Sequence, residues 1–290
     1  MSLARETWHL VYETVNEWVN DRASRKGAAL AFYTVFSLAP ILILSIAIAG
    51  IFFGQAAARG EIFGQIKDLL GADAAAAVQA MIQSASRPGA GLVATLIGII
   101  TLCVGATTAL AELKDGLDQI WDAPPEKTSG FWYFVRKRLL SVGLIASLGF
   151  LLLVSLVFSA LVSALARSWG PADATGMVLQ AVNFLFSFAL VTLLFAMIYK
   201  ILPAVRIAWR DVIVGSVITA LLFSVGKFLI GVYLGNSAVA SSYGAAGSVI
   251  LVLVWVYYSA QVFLLGAEFT KVYAHRYGSR RGLPQPSRAA

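Results

Sequence analysis

Charge is scarce in this chain of 290 residues: only 13% are Asp, Glu, Lys or Arg, against roughly 25% in ordinary soluble domains. Five stretches, 27–58, 88–111, 139–166, 174–199 and 228–267, contain none of the four. An apolar helix needs about 20 residues to cross the bilayer hydrocarbon, and a soluble domain has little reason to repeat such runs. Other absences narrow the function. Histidine occurs only at positions 9 and 275 and cysteine only at 103. A metal-dependent hydrolase or nuclease needs clustered ligands, and a single cysteine forms no intrachain disulfide. The sequence offers no nucleophile–histidine set and no paired membrane carboxylates. It also has no glycine–lysine nucleotide loop. Neither an enzyme nor a self-contained ATP-driven pump is expected, and no cofactor or metal. The first apolar run begins at Gly27 and far exceeds the roughly 7–15 residues of a signal-peptide core, so a cleavable leader is not expected.

What remains is apolar: 59% of residues are hydrophobic. The fold class predicted is all-α, a polytopic helical bundle with six transmembrane helices and amphipathic surface helices. The crossings are placed at 28–53, 90–112, 139–166, 177–201, 212–234 and 247–269. The last two come from one stretch of 40 residues, too long for a single crossing and interrupted by turn-formers from Gly235-Asn236-Ser237 to Ser241-Ser242-Tyr243-Gly244. The glycine-rich loop 235–247 reads as a short exposed turn or as a re-entrant segment whose backbone N–H groups face an anion.

Lys and Arg orient the bundle. Segments on the side of the two termini carry 17 and those on the other side 4, so both termini are predicted cytoplasmic, in a bacterial inner membrane. The net charge of +7 then faces anionic lipid, and nucleic acid is not an expected partner. Residues 1–26 read as a cytoplasmic amphipathic interfacial helix. Trp8, Val11, Val15, Trp18 and Val19 share one face, while Glu6, Glu13, Glu17, Asn20 and Asp21 lie mostly elsewhere. Residues 27–270 form the transmembrane domain with a helical outer segment at 54–89, expected as two short helices broken near Gly71. Residues 271–290 form a basic cytoplasmic tail, expected to be disordered.

Polar side chains inside the spans form stripes. In the second span, Gly98, Thr101, Gly105, Thr108 and Glu112 fall within about 80° at 100° per residue. In the fifth, Ser216, Thr219, Ser224, Lys227 and Gly231 occupy about 140°. In the sixth, Tyr257, Tyr258, Gln261 and Glu268 share about 100°. Polar groups facing lipid are costly, so such stripes face neighbouring helices or a wet cavity. Close helix packing uses the same residue types, and Glu112 and Glu268 stand near span ends where water is an alternative partner. Lys227 is the sharpest signal, a cation about 10 Å inside its helix end. Candidate pathway residues are therefore Lys227, Ser224, Gln261, Thr101 and Thr108, with Glu112 and Glu268 for proton coupling and Pro40 as a kink or hinge in the first span.

The run Gly27-Ala28-Ala29-Leu30-Ala31-Phe32-Tyr33-Thr34-Val35-Phe36-Ser37-Leu38-Ala39-Pro40 resembles the opening signature of the YihY/BrkB family of bacterial inner-membrane proteins. The stretch ending Gln119-Ile120-Trp121, the turn Ser242-Tyr243-Gly244-Ala245-Ala246-Gly247, and Trp255 through Gly266-Ala267-Glu268 are similar to it as well. The resemblance implies a six-helix inner-membrane protein tied to envelope integrity and carries over no catalytic residues. The family's former label, ribonuclease BN, finds no metal-ligand set in this sequence. Two functions stay open: a transporter of an anionic lipid or other amphiphile, and a non-catalytic envelope scaffold. Membrane lipids are the partners expected in both.

Overall fold

The computed structural model describes residues 3–56, 59–60, 62–64, 75–76, 78–79, 82, 108–124, 173–236 and 245–282. The expected helix at 139–166, most of the one at 90–112 with Thr101, the turn residues 237–244 and the tail from 283 lie outside them. Among the described residues the regular structure is all helical. We label the helices α1 (Leu3–Asn20), α2 (Ala23–Phe53), α3 (108–120), α4 (Asp173–Ile201), α5 (Trp209–Asn236) and α6 (Ala245–Arg276).

Only Asp21 and Arg22 separate α1 from α2. Arg22 takes the left-handed conformation at φ 51, which reverses the chain in one residue. The α2 helix then runs 31 residues without a break at Pro40. Among the described residues three segments are long and apolar enough to span a bilayer: Ala181–Ile201, Trp209–Ile230 and Val252–Arg276. Their outward side chains, such as Phe184, Leu185, Leu221 and Phe228, are exposed and apolar. That is the arrangement expected when the solvent is lipid.

Pro203, which has no N–H to extend a helix, follows α4, and the last turn closes through Leu202 N–H to the Ile198 carbonyl at 3.1 Å. Two boundaries differ from the sequence expectation. The α6 helix continues past 269 to Arg276, and helix continues past Glu112 to 120. In both extensions the inward residues are buried, Gly116, Leu117 and Ile120 in one and Thr270, Lys271, Val272 and Ala274 in the other. Charge on one side of a helix ended the apolar runs without ending the helices.

The chain forms two compact units. The first comprises Met1–Thr14, Leu117–Leu222 and Gly266–Ala290, and the second Val15–Gly116 and Phe223–Leu265. The first unit is held by an antiparallel exchange between α5 and α6. A Cβ added at Gly215 would overlap the Thr270 side chain, and one at Gly266 would overlap Thr219. Each helix therefore offers a glycine to the other's threonine, four residues from its own. Each threonine returns its proton to its own helix, Thr219 to the Gly215 carbonyl at 2.7 Å and Thr270 to the Gly266 carbonyl at 2.6 Å. Small residues of this kind let membrane helices approach closely. Tyr199 of α4, fully buried, then donates to Thr219 Oγ1 at 3.2 Å, since that hydroxyl's own proton is already used.

The second unit has an apolar core of Ala31 and Val35 from α2, Val78, and Val252 and Val256 from α6, with Leu42, Ile82 and Trp255 against it. Val78 and Ile82 belong to the 54–89 segment, so part of that segment is core and not only surface. Phe223 of α5 meets Trp255 edge to face at 5.9 Å between centroids.

Candidate functional site

The α5 stripe divides. Ser216 and Thr219 are fully buried in the first unit, whereas Ser224 and Lys227 in the second are half-buried. At 100° per residue Lys227 lies between buried Gly226, about 100° away on one side, and exposed Phe228, about 100° away on the other. Lys227 thus sits at the seam between the packed face and the lipid-facing face. It makes no hydrogen bond or ion pair with the other described residues. Beside it, Tyr258 of α6 lies directly over Gly226, where a Cβ would overlap the phenol oxygen. The missing side chain at 226 is what admits the tyrosine hydroxyl against α5.

Gln261, three residues beyond Tyr258, donates from Nε2 to the Ser24 carbonyl at 3.3 Å, at the start of α2. Its amide rests on Gly27. Its Oε1 is buried without a hydrogen-bond partner among the described residues. Nearby, Lys26 passes Gly116 beside Leu264, with its ammonium out of solvent. In the sequence Lys26 is only one of the basic residues of the amino-terminal segment. Its burial depends on Gly116 and Leu264, far away along the chain, and no local pattern announces it. Thr108 and Glu112 on α3 are half-buried.

Glu268 has 0% exposure, so it is not the solvated end-of-span carboxylate that its position allows. The same stretch of α6 holds Lys271, also buried and paired with Asp122 at 2.6 Å. Asp122 has φ 48, a conformation a short polar residue tolerates better than most. Asp118 accepts the Ala204 N–H at 2.6 Å.

A second polar group in the first unit centres on buried Asp211, in the first turn of α5. Its Oδ2 accepts the Ser279 N–H at 3.1 Å and the Ser279 hydroxyl at 2.6 Å. A Cβ at Gly278 would overlap its other oxygen. Arg280 then donates to the Arg206 carbonyl at 3.2 Å and stands 5.1 Å from the centre of the Trp121 ring. Lys200 donates to the Ile207 carbonyl and lies 5.4 Å from the Trp209 ring centre. The chain after α6, the α4–α5 connection and the end of α3 are thereby joined. Sequence analysis passed over these residues. The Gly–Thr spacing of four on both α5 and α6 was the one signal able to show any of this packing.

Regular structure that is all helical among the described residues, with three helices of membrane-crossing length and apolarity, defines a helical integral membrane protein. Residues 14–290 match the family described as Virulence factor BrkB, and the chain belongs to that family. It is 29% identical over 265 residues to a UPF0761 membrane protein of Pseudoalteromonas atlantica, covering 89% of this chain and 83% of that one. It is 28% identical over 280 residues to a UPF0761 membrane protein of Pseudomonas paraeruginosa, and 25% identical over 287 residues to one of Stenotrophomonas maltophilia. Those matches cover 93% and 96% of this chain but only 64% and 62% of the relatives, so the chain spans under two thirds of their length. No solved structure matches it.

Proposed function

We propose that the protein moves an anionic lipid or other anionic amphiphile across a bacterial inner membrane, which it crosses six times with both termini in the cytoplasm. The observation that carries this reading is Lys227, a cation within the Trp209–Ile230 span, with no partner among the described residues, on the seam between packed and lipid-facing surfaces. An isolated ammonium in hydrocarbon is costly. An anionic headgroup at that seam would offset the cost while its chains stayed against the exposed Phe228 side of the helix. A small sugar has no use for such a surface. Tyr258 and Gln261 would offer hydrogen bonds along the same side of α6, and buried Glu268 is the carboxylate this reading assigns to proton coupling. The orientation rests on the 17-to-4 distribution of Lys and Arg. No step of this reading makes or breaks a covalent bond.

The test is transfer of fluorescent phosphatidylglycerol between leaflets of proteoliposomes, compared with a zwitterionic lipid. Lys227→Met is expected to slow the anionic lipid about tenfold or more, roughly 1.4 kcal/mol of lost stabilisation. Unchanged transfer removes Lys227 from the mechanism. The scaffold reading predicts no transfer by any variant, and envelope defects that follow deletion of 60–86 and not loss of Lys227.

A further inference from the structure

The α1 helix is mounted with its polar side inward. Trp8, Val11, Tyr12, Val15 and Val19 are exposed by 46–68% and lie within about 100° of one another around the helix. Glu6, Glu13 and Glu17 sit on the opposite side and are half-buried, and Asp21, just beyond the helix, is buried. Trp18, grouped with the apolar face by sequence, is half-buried with its indole nitrogen out of solvent, and Tyr12 is the exposed aromatic in its place. A helix in water is built the other way round, with apolar residues toward the protein.

Three observations say what covers the stripe. First, Glu13 pairs with Arg276 at 3.1 Å, and Arg276 is the residue at which the Val252–Arg276 span ends. The α1 helix is therefore fastened at the level where a crossing helix leaves the hydrocarbon. Second, the aromatics exposed at span ends in the same unit, Trp209 and Tyr277, are the residue types that favour the headgroup layer, and Trp8 and Tyr12 match them. Third, the exposed charges flanking the stripe are all cationic, Arg5 before it and Arg22 and Arg25 after it, while none of the four carboxylates is fully exposed.

We propose that α1 lies in the bilayer surface, with Trp8, Val11, Tyr12, Val15 and Val19 in the headgroup–acyl boundary and its flanking arginines on anionic phospholipid. An apolar face with cationic flanks is what such a surface binds. The inference is independent of transport.

The experiment uses full-length protein in vesicles of phosphatidylglycerol and phosphatidylcholine, in a Cys103→Ser background. Single cysteines replace Trp8, Tyr12, Val15 or Val19 on the stripe, or Asn16 or Asn20 off it, each carrying a small fluorophore. Using several positions guards against one variant that fails to fold. Lipid-borne nitroxide is expected to quench the stripe positions about threefold or more above Asn20, with iodide giving the reverse order. In pure phosphatidylcholine, and in Arg5→Gln/Arg22→Gln/Arg25→Gln protein, iodide access at Val15 is expected to rise. Equal iodide quenching at all positions overturns the proposal. So does Val15→Cys to Val15→Cys cross-linking between two copies without lipid quenching, which would assign the stripe to a second chain. Identical behaviour in anionic and neutral vesicles overturns the role of the arginines.

Discussion

The α6 helix passes Lys271 through one compact unit and Gln261 through the other, and their surroundings differ. Lys271 is buried and meets a carboxylate at 2.6 Å, while Gln261 holds one long hydrogen bond and leaves an oxygen buried without a partner among the described residues. The same contrast appears on α5, where Thr219 both accepts and donates and Lys227 does neither among the described residues. In the first unit much of the buried polarity is committed to joining helices and connections. In the second, Lys227 and the Gln261 oxygen have no partner among the described residues, as is also true of the Ser216 hydroxyl and one Asp211 oxygen in the first. Polarity inside a membrane is costly whether or not it is satisfied, and the transport proposed above rests on Lys227 for that reason.

The contrast can be broken first at the Gly–Thr exchange. Gly215→Val or Gly266→Val forces side-chain atoms into Thr270 or Thr219, and a loss of about 3 kcal/mol is expected in denaturant titrations in detergent. Next, Asp122→Asn keeps the shape of the side chain but strands the Lys271 charge, at about 2–3 kcal/mol. Adding Lys271→Met to that variant is expected to recover much of the loss, because an apolar pair no longer needs a counter-charge. Asp211→Ala removes both acceptors of Ser279 and is expected to cost about 1–2 kcal/mol. It should also raise proteolytic cleavage within 277–282 more than overall unfolding accounts for. The smallest change in stability, under about 0.5 kcal/mol, is expected for Lys227→Met. A large loss there would make Lys227 a structural residue and erase the difference between the units.

Much of the architecture was legible because lipid demands long apolar helices. The helices α1, α2, α4, α5 and α6 all fall where the hydropathy and turn signals place them. Their ends were less legible. Lys271 and Arg276 read as a tail but belong to α6, because Lys271 finds Asp122 and Arg276 finds Glu13 across 149 and 263 residues of sequence. Asp118 likewise finds a partner distant in sequence, the Ala204 N–H. Helical periodicity places a side chain on a face but does not say what the face meets. That is why the α5 stripe, continuous in sequence, divides into buried Thr219 and half-exposed Lys227. The neighbourhood of Lys227 was legible only in part, since Tyr258 shared a stripe with Gln261 but its seat on Gly226 required the fold.

The interlocked glycines and threonines of α5 and α6 have one more consequence. Where Thr270 fills the space above Gly215 and Thr219 fills that above Gly266, the groove between the two helices is corked, too tight even for an added methyl group. At that level the two helices leave no room between them for a solute.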